Sequence, residues 1–417
     1  MCPAVRLNVA RHESEDDMNG NGSEWNVRAF GAKGDGRADD TAAIQSAISA
    51  CAEAGGGIVF LPTGTYRVDG TLRVGKKVTL RGAGGSIDGW GEPTTLHAFD
   101  EHAPFIALEK GAGVQYVDIF YPEQRLVAGE VKPYPWTIKA EAEECHVIGV
   151  SLRNSYDGIN LDHAAQHLVR DVHGSPLHVG LYVDQCYDIG RVENVHYWPF
   201  NGPEQNKDFY FEYLPHVATA FVFGRTDWQY VYNTFCWGYK IAYHFIETAH
   251  GSCNGNFLGI GGDAAEQCVV IEAAQTHTGG ILITNGEFVP LMSPDCRAIV
   301  VTETNKGYAS FVNCGVWGPS DQIAAIAGDG RVNISSCNFI QWDKNKRNAP
   351  AIEVTGGIAT IQGNHFDKSM NRDLTAPHVA IRRGAKAATV FGNVCEGPWR
   401  AVNEIGDAAQ IGFNAGS

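Results

Sequence analysis

The sequence predicts an all-β chain wound as a right-handed parallel β-helix, a solenoid with a short N-terminal capping helix. Three observations predict it. The first is a pattern stated twice between His146 and Tyr187: His146–Asn154 leads into Gly158–Asp162, and His167–Val172 leads into Gly180–Asp184. Each copy holds two short alternating runs separated by Gly, Asn, Asp or Pro, a strand-turn-strand signal, and the step from Ile159 to Leu181 is 22 residues. The second is recurrence. A small-apolar-x-apolar run returns at Ala220–Phe223, Ala242–Phe245, Cys268–Ile271 and Ala298–Val301, then at Ala325–Ile326, Ala351–Val354, Ala380–Ile381 and Ala401–Val402. Measured at its second residue from Leu181, it steps by 40, 22, 26, 30, 27, 26, 29 and 21 residues, a coil of one size with loops of variable size. The third is that no helix-length apolar run separates these strands, which excludes a doubly wound α/β sheet. A single coil cannot bury its inner face; stacking about ten of them buries aliphatic ladders.

In chain order, residues 1–24 are polar and acidic and read as a flexible arm, and residues 25–417 as one solenoid domain. Residues 25–75 form the cap and first coils. There Ala42, Ile44, Ala47, Ile48 and Cys51 have helical spacing, Asp39 or Asp40 supplies an N-cap, and Gly55-Gly56-Gly57 ends the helix. Ile58–Pro62 and Gly64–Val68 are strands, and the helix plugs the open end of the solenoid. Gly82-Ala83-Gly84-Gly85 lacks a following Lys-Ser/Thr and helix, so it is a coil corner rather than a phosphate cradle. Asp118–Trp136 is a long aromatic and Pro-rich excursion suited to walling a binding site. Asn201–His216 is the one large loop insertion.

The opening Val27-x-x-Phe30-Gly31-Ala32-x-Gly34-Asp35-Gly36-x-x-Asp39-Asp40-Thr41, with Gly56-Gly57 and Pro62-x-Gly64-x-Tyr66 after it, resembles the N-terminal cap of the pectate-lyase/polygalacturonase-type β-helix superfamily. That superfamily includes glycoside hydrolases, polysaccharide lyases, epimerases, fructan-transferring enzymes and phage tailspikes. The resemblance implies the fold; Asp35, Asp39 and Asp40 belong to a turn and a cap rather than to catalysis. Asn154-Ser155-Tyr156-Asp157-Gly158-Ile159 loosely resembles the polygalacturonase Asn-x-Asp-Gly-Ile motif. The next coil offers Ser175-Pro176-Leu177-His178 where that family has paired aspartates, and no Gly-His-Gly or Arg-x-Lys follows. A polygalacturonase mechanism does not carry over, and only Asp157 matches.

Composition bounds the partners. A formal charge of -15 excludes a protein that tracks nucleic-acid phosphates. No apolar run reaches transmembrane length and no export signal is seen, which points to a cytoplasmic protein, or a secreted one whose signal was trimmed. The eleven cysteines have no Cys-x-x-Cys spacing and read as reduced and buried. No metal and no cofactor are expected.

Two polar lines mark the candidate site. One follows the corner that precedes the recurring run: Asp157; His178; His196, Tyr197 and Trp198; Trp237, Tyr239 and Lys240; Asp263 and Glu266; Glu287; Trp317; Trp342 and Asp343. Equivalent positions stack about 4.8 Å apart, so these residues line one groove, centred on the 201–216 insertion with its Glu204, Lys207, Asp208, Tyr210 and Glu212. Asp157, Asp208, Asp263 and Glu287 are the candidate catalytic carboxylates, because hydrolysis or transfer of a glycosidic bond needs one protonated and one ionised carboxyl group. His178, Trp198, Glu212, Trp237, Lys240, Trp317 and Trp342 are candidate substrate contacts. The other line, after the run, holds Asp162, Asp184, Arg225, Asp227 and Glu247. There Arg225 neutralises the stacked acids, and Arg225 and Asp227 are further candidate contacts.

The function expected from this pattern is a carbohydrate-active enzyme that cleaves or transfers a glycosidic bond of a poly- or oligosaccharide through paired carboxylates. A lyase on a uronate-containing glycan, with Lys240, His178 or Tyr239 as base, is the alternative within enzymes. A non-catalytic glycan-binding, tailspike-like or structural module is the alternative outside them. Trp198, Phe200, Tyr210, Tyr213, Trp228, Tyr230, Tyr232 and Trp237 crowd into 40 of the 417 residues. That surplus, with the side-by-side trimers among the resembling proteins, points to a homotrimer.

Overall fold

The computed structural model describes residues 24–84, 93–200, 207–368 and 373–417. They wind into a parallel solenoid whose coil has three sides. The front side is a sheet of 13 strands, running from Leu72–Val74 to Ala401–Asn403. The two flanks join into one 28-stranded ladder. In one coil the front strand Gln267–Ile271 is followed by the flank strands Ile281–Thr284 and Glu287–Pro290, and the chain returns to the front at Arg297–Val301. The turn that feeds each front strand is the leading corner, and the turn that leaves it is the trailing corner.

The recurring run is the front sheet. Ile159, Leu181, Phe221, Tyr243, Val269 and Ile299 stand in register through successive coils, all buried. Beyond Ile299 the ladder continues through Ala324, Ile352, Val379 and Ala401, because Ile326 pairs with Val301 and Ile381 with Val354. The sequence steps at Ile326 and Ile381 are therefore displaced by two residues. A slip of two keeps the same side chains inside, so hydrophobic alternation could not reveal it. Thirteen front strands also replace the expected ten coils.

What repeats most regularly is the turn between the flanks. A single left-handed residue makes it at Tyr116, Gly149, Asp171, Asn194, Asn233, Gly259, Asn285, Asn313, Ser336, Gly363 and Gly392. Gly and Asn recur because they adopt this conformation with little steric cost. The invariant corner keeps the flank arc constant and leaves length variation to the other two corners. Nor is the interior purely aliphatic: Tyr197, Phe221 and Tyr243 stack with ring centroids 5.1 and 4.9 Å apart. Near the C-terminal end a ladder of amides, the buried Asn364 and Asn393 and the half-buried Asn414, carries its own hydrogen bonds at 2.9 Å each.

Helix α1, Thr41–Glu53, buries Ile44, Ala47, Ile48 and Cys51 over the first coils, and Ala42 is exposed. The motif aspartates divide the work. Asp39 accepts the Thr41 N–H at 2.9 Å, while Asp40 occupies the cap position without capping and instead accepts the N–H groups of Lys33 and Gly34. Part of the expected 201–216 loop is helical: α2 spans Lys207–Val217 and packs on the leading corner, with residues 201–206 outside the described part. Residues 1–23 of the expected arm and Gly85 also lie outside it. Every cysteine among the described residues is free and buried.

Candidate active site on the leading corner

Register builds the site. Asp157 opens one front strand and pairs with Val179 of the next, so His178 lies directly over Tyr156. The two backbones are pressed together here: a Cβ on Gly158 would come 2.2 Å from the carbonyl oxygen of Gly180. His178 Nδ1 is 2.8 Å from Asp157 Oδ1, which also accepts the Val179 N–H at 3.1 Å. The Tyr156 ring stacks on the imidazole at 4.8 Å and 17°. The Asp157 side chain is 17% exposed and that of His178 43%. An Nδ1–H given to the carboxylate leaves the Nε2 lone pair on the open side, the arrangement of an oriented general base.

Helix α2 closes one side. Its Tyr213 stacks on Phe209 at 4.9 Å. Burial raises the phenol of Tyr213 above its ordinary value, and Tyr156 and Asp157 push it the same way. Burial and then Asp157 do the same for Tyr156. Both phenols therefore keep their protons at neutral pH. Lys240 is two front strands beyond His178 in the same register, with Ala218 between them. Its N–H bonds the Ala218 carbonyl at 3.0 Å, and its side chain is exposed. The corner thus gathers a base, two protonated phenols and an ammonium group.

The other expected contacts scatter. Asp208 and Glu212 are exposed on α2. Asp263 and Glu287 lie one coil apart on the second flank, where Gly261 separates Phe235 from Glu287 in the ladder. Burial raises the Asp263 carboxyl and the nearby Glu287 adds to it, while Glu287 accepts the Trp317 Nε1–H at 2.9 Å. Trp317 itself is exposed. Trp198 and Trp237 form a nest with Phe200 and Phe211 that seats α2, and Trp237 is only 7% exposed. Trp342 is fully buried against Phe366 and His378. Tyr239, an expected base, is buried with its hydroxyl given to the Pro176 carbonyl. Trp237, Trp342 and Tyr239 are therefore packing residues, since the hydrophobic free energy of a large ring turns it inward wherever the corner allows. Asp343 accepts the N–H groups of Arg347, Asn348 and Ala349 and shapes a turn.

The trailing corner is self-contained. The Arg225 guanidinium bonds both oxygens of Asp227, at 2.7 and 2.8 Å, and does not reach the stacked acids it was expected to neutralise. Asp184 instead accepts the Arg225 backbone N–H and the Thr248 hydroxyl, and Asp162 accepts Gln185. Asn254 and Gln275 complete the shell of Asp227. A cleft of about 320 Å³ lies beside this cluster. The sequence reading missed a larger cleft, about 620 Å³, farther along the leading corner and lined by Glu266, Arg297, Asp321, Arg347, Glu353 and Arg382 among others. Its three arginines come from the front strand Arg297–Val301, from the loop that carries Arg347 and from the end of the strand Val379–Ile381, a convergence that only register creates.

Residues 25–91 match the family model described as rhamnogalacturonase A/epimerase, pectate lyase-like. Alginate lyase 7 of Azotobacter vinelandii is 49% identical over 85 residues, covering 17% of this chain and 10% of that protein. Mannuronan C5-epimerase AlgE5 of the same organism is 47% identical over 85 residues, covering 17% and 8%. The match spans about a tenth of the length of these curated relatives. Among solved structures, the pre-mature bacteriophage phi29 gene product 12 superposes with a TM-score of 0.66 at 11% identity, covering 94% of this chain and 55% of that one, which is a likeness of fold alone. The resemblance read from the opening motif holds over the cap, and the described residues as a whole wind as a parallel β-helix.

Proposed function

We propose that this protein is a carbohydrate-active enzyme that acts on a uronate-containing polysaccharide by removing the proton beside the sugar carboxylate, as a lyase or an epimerase. The observation that carries the proposal is His178 held on Asp157 with its outer nitrogen free, between two protonated phenols and Lys240. The names of the relatives, an alginate lyase and mannuronan epimerases, support the same substrate class. In this reading Lys240 offsets the carboxylate charge, His178 Nε2 accepts the C5 proton, and the electron pair is held by the carboxylate. Departure of O4 with a proton from Tyr156 or Tyr213 gives an unsaturated sugar; return of a proton to the opposite face gives the epimer. This reverses the order of the two enzymatic expectations. Asp157 is committed to His178 and Asp208 stands on an exposed helix face, so the paired-carboxylate set shrinks to Asp263 and Glu287.

That remaining pair supports a second reading, glycoside hydrolysis with the raised Asp263 as acid and Glu287 as the ionised partner. Incubation with mannuronan, polygalacturonate and neutral glycans distinguishes the two. Ultraviolet absorbance of an unsaturated end, or a changed C5 configuration by NMR, that disappears in His178→Ala supports the first. Reducing ends without that absorbance, lost in Glu287→Gln and retained in His178→Ala, support the second. Binding without any product would leave a glycan-binding module.

A side-by-side homotrimer remains our proposal for assembly. Trp228, Tyr230, Tyr232 and Leu258 stand exposed together on one flank, and Tyr232 and Leu258 are in register. Light scattering that returns one chain's 45.1 kDa would overturn it.

A further inference from the structure

The larger leading-corner cleft has no part in the chemistry above, and its charges are unevenly satisfied. Arg347 is shared by Asp295 and Asp321, and Arg382 by Glu353 and Glu404. Arg297 is different. It gives its Nε–H to Gln322 Oε1 at 3.2 Å and has no carboxylate within ion-pair distance among the described residues. A guanidinium is costly to desolvate unpaired, and its two terminal nitrogens match a carboxylate in bidentate geometry. Around it Glu266, Gln267 and Asn348 supply acceptors and donors for hydroxyl groups. The lining sets four carboxylates against three guanidinium groups, so it repels a doubly charged phosphate and takes a singly charged group only where that group meets Arg297 directly.

Resting on the uronate reading, we propose that this cleft is a carboxylate-binding subsite for the same polysaccharide, gripping a uronosyl residue several sugars away from the reacting bond. Register fixes the separation. Val179, Thr219, Ile241, Gln267 and Arg297 follow one another in the front ladder, so Arg297 lies four coil steps, about 19 Å, from the His178 position along the solenoid axis. A glycan laid along the leading corner passes Lys240 and Glu266 on the way. The enzyme therefore prefers long chains and cleaves or modifies them internally.

Calorimetric titration of oligomannuronates and oligogalacturonates, from dimer to octamer, into the full chain and its Arg297→Gln and Arg297→Lys variants tests this. The wild type should bind oligomers long enough to span both positions at least tenfold more tightly than the dimer. Arg297→Gln should lose that step while binding the dimer as before and turning short substrate over at the same rate; Arg297→Lys should keep part of the step. Undiminished long-chain binding by Arg297→Gln overturns the subsite, and polymer turnover in the same samples would leave the functional reading standing. An Arg297-dependent step without unsaturated or epimerised product retains the subsite and removes the catalytic reading. Absence of binding at every length overturns both.

Discussion

The two corners that flank the front sheet carry similar side chains and use them in opposite ways. On the trailing corner Arg225, Asp227, Asn254 and Gln275 bond one another, and Asp184 is buried under the Arg225 N–H and Thr248. On the leading corner Asp157 is similarly committed, but its partner His178 keeps one nitrogen and nearly half its side-chain surface open. Lys240 stands exposed near it, and Arg297 lacks an acid. A closed polar network rigidifies a turn, whereas a partly satisfied one leaves interaction energy available to a ligand. Density of charged residues in the sequence does not distinguish the two; the count of unspent donors and acceptors does.

Breaking the open side should have the largest effect. His178→Ala should lower turnover of a uronate polymer by about 10²–10⁴-fold, the range for loss of a general base, with no change in thermal midpoint. Equal turnover in the variant would place the chemistry elsewhere. A residue on the same sequence line that points inward should behave oppositely: Trp342→Ala should cost about 3–5 kcal/mol of stability in denaturant titration through the cavity it leaves, with turnover per folded molecule retained.

On the closed side, Asp184→Ala strands the buried Arg225 N–H and should cost about 1–3 kcal/mol without changing turnover. If activity fell instead, the trailing corner would be functional. The smallest effect expected is at Asp227, whose carboxyl is held below its ordinary value chiefly by the Arg225 guanidinium. Its folded state binds the proton less readily than the unfolded chain. The stabilisation is therefore complete above the ordinary carboxylate pKa and disappears as pH falls through the lowered one. Because the pair is partly solvated it is worth about 1 kcal/mol or less, and Asp227→Asn should flatten that part of the acid limb of the stability profile.

The sequence alone determined the solenoid and the cap, and it marked the corner line that carries the candidate site. Alternation and recurrence are local, and the left-handed Gly and Asn residues that turn most of the flank corners are visible as single letters. His178, Lys240 and Asp157 were likewise legible as chemistry-bearing residues at one corner. Their roles were not. Asp157 looked like a catalytic carboxylate until the register of Asp157 with Val179 placed the His178 imidazole against it. Tyr239 and Trp342 looked like site residues until packing turned them inward, and Arg297 looked unremarkable until Arg347 and Arg382 were seen to be paired. The physical reason is common to all of these. Strand identity follows from neighbours in sequence, whereas a side chain's direction and remaining hydrogen-bonding capacity follow from neighbours one coil away, and variable corner lengths conceal which residues those are.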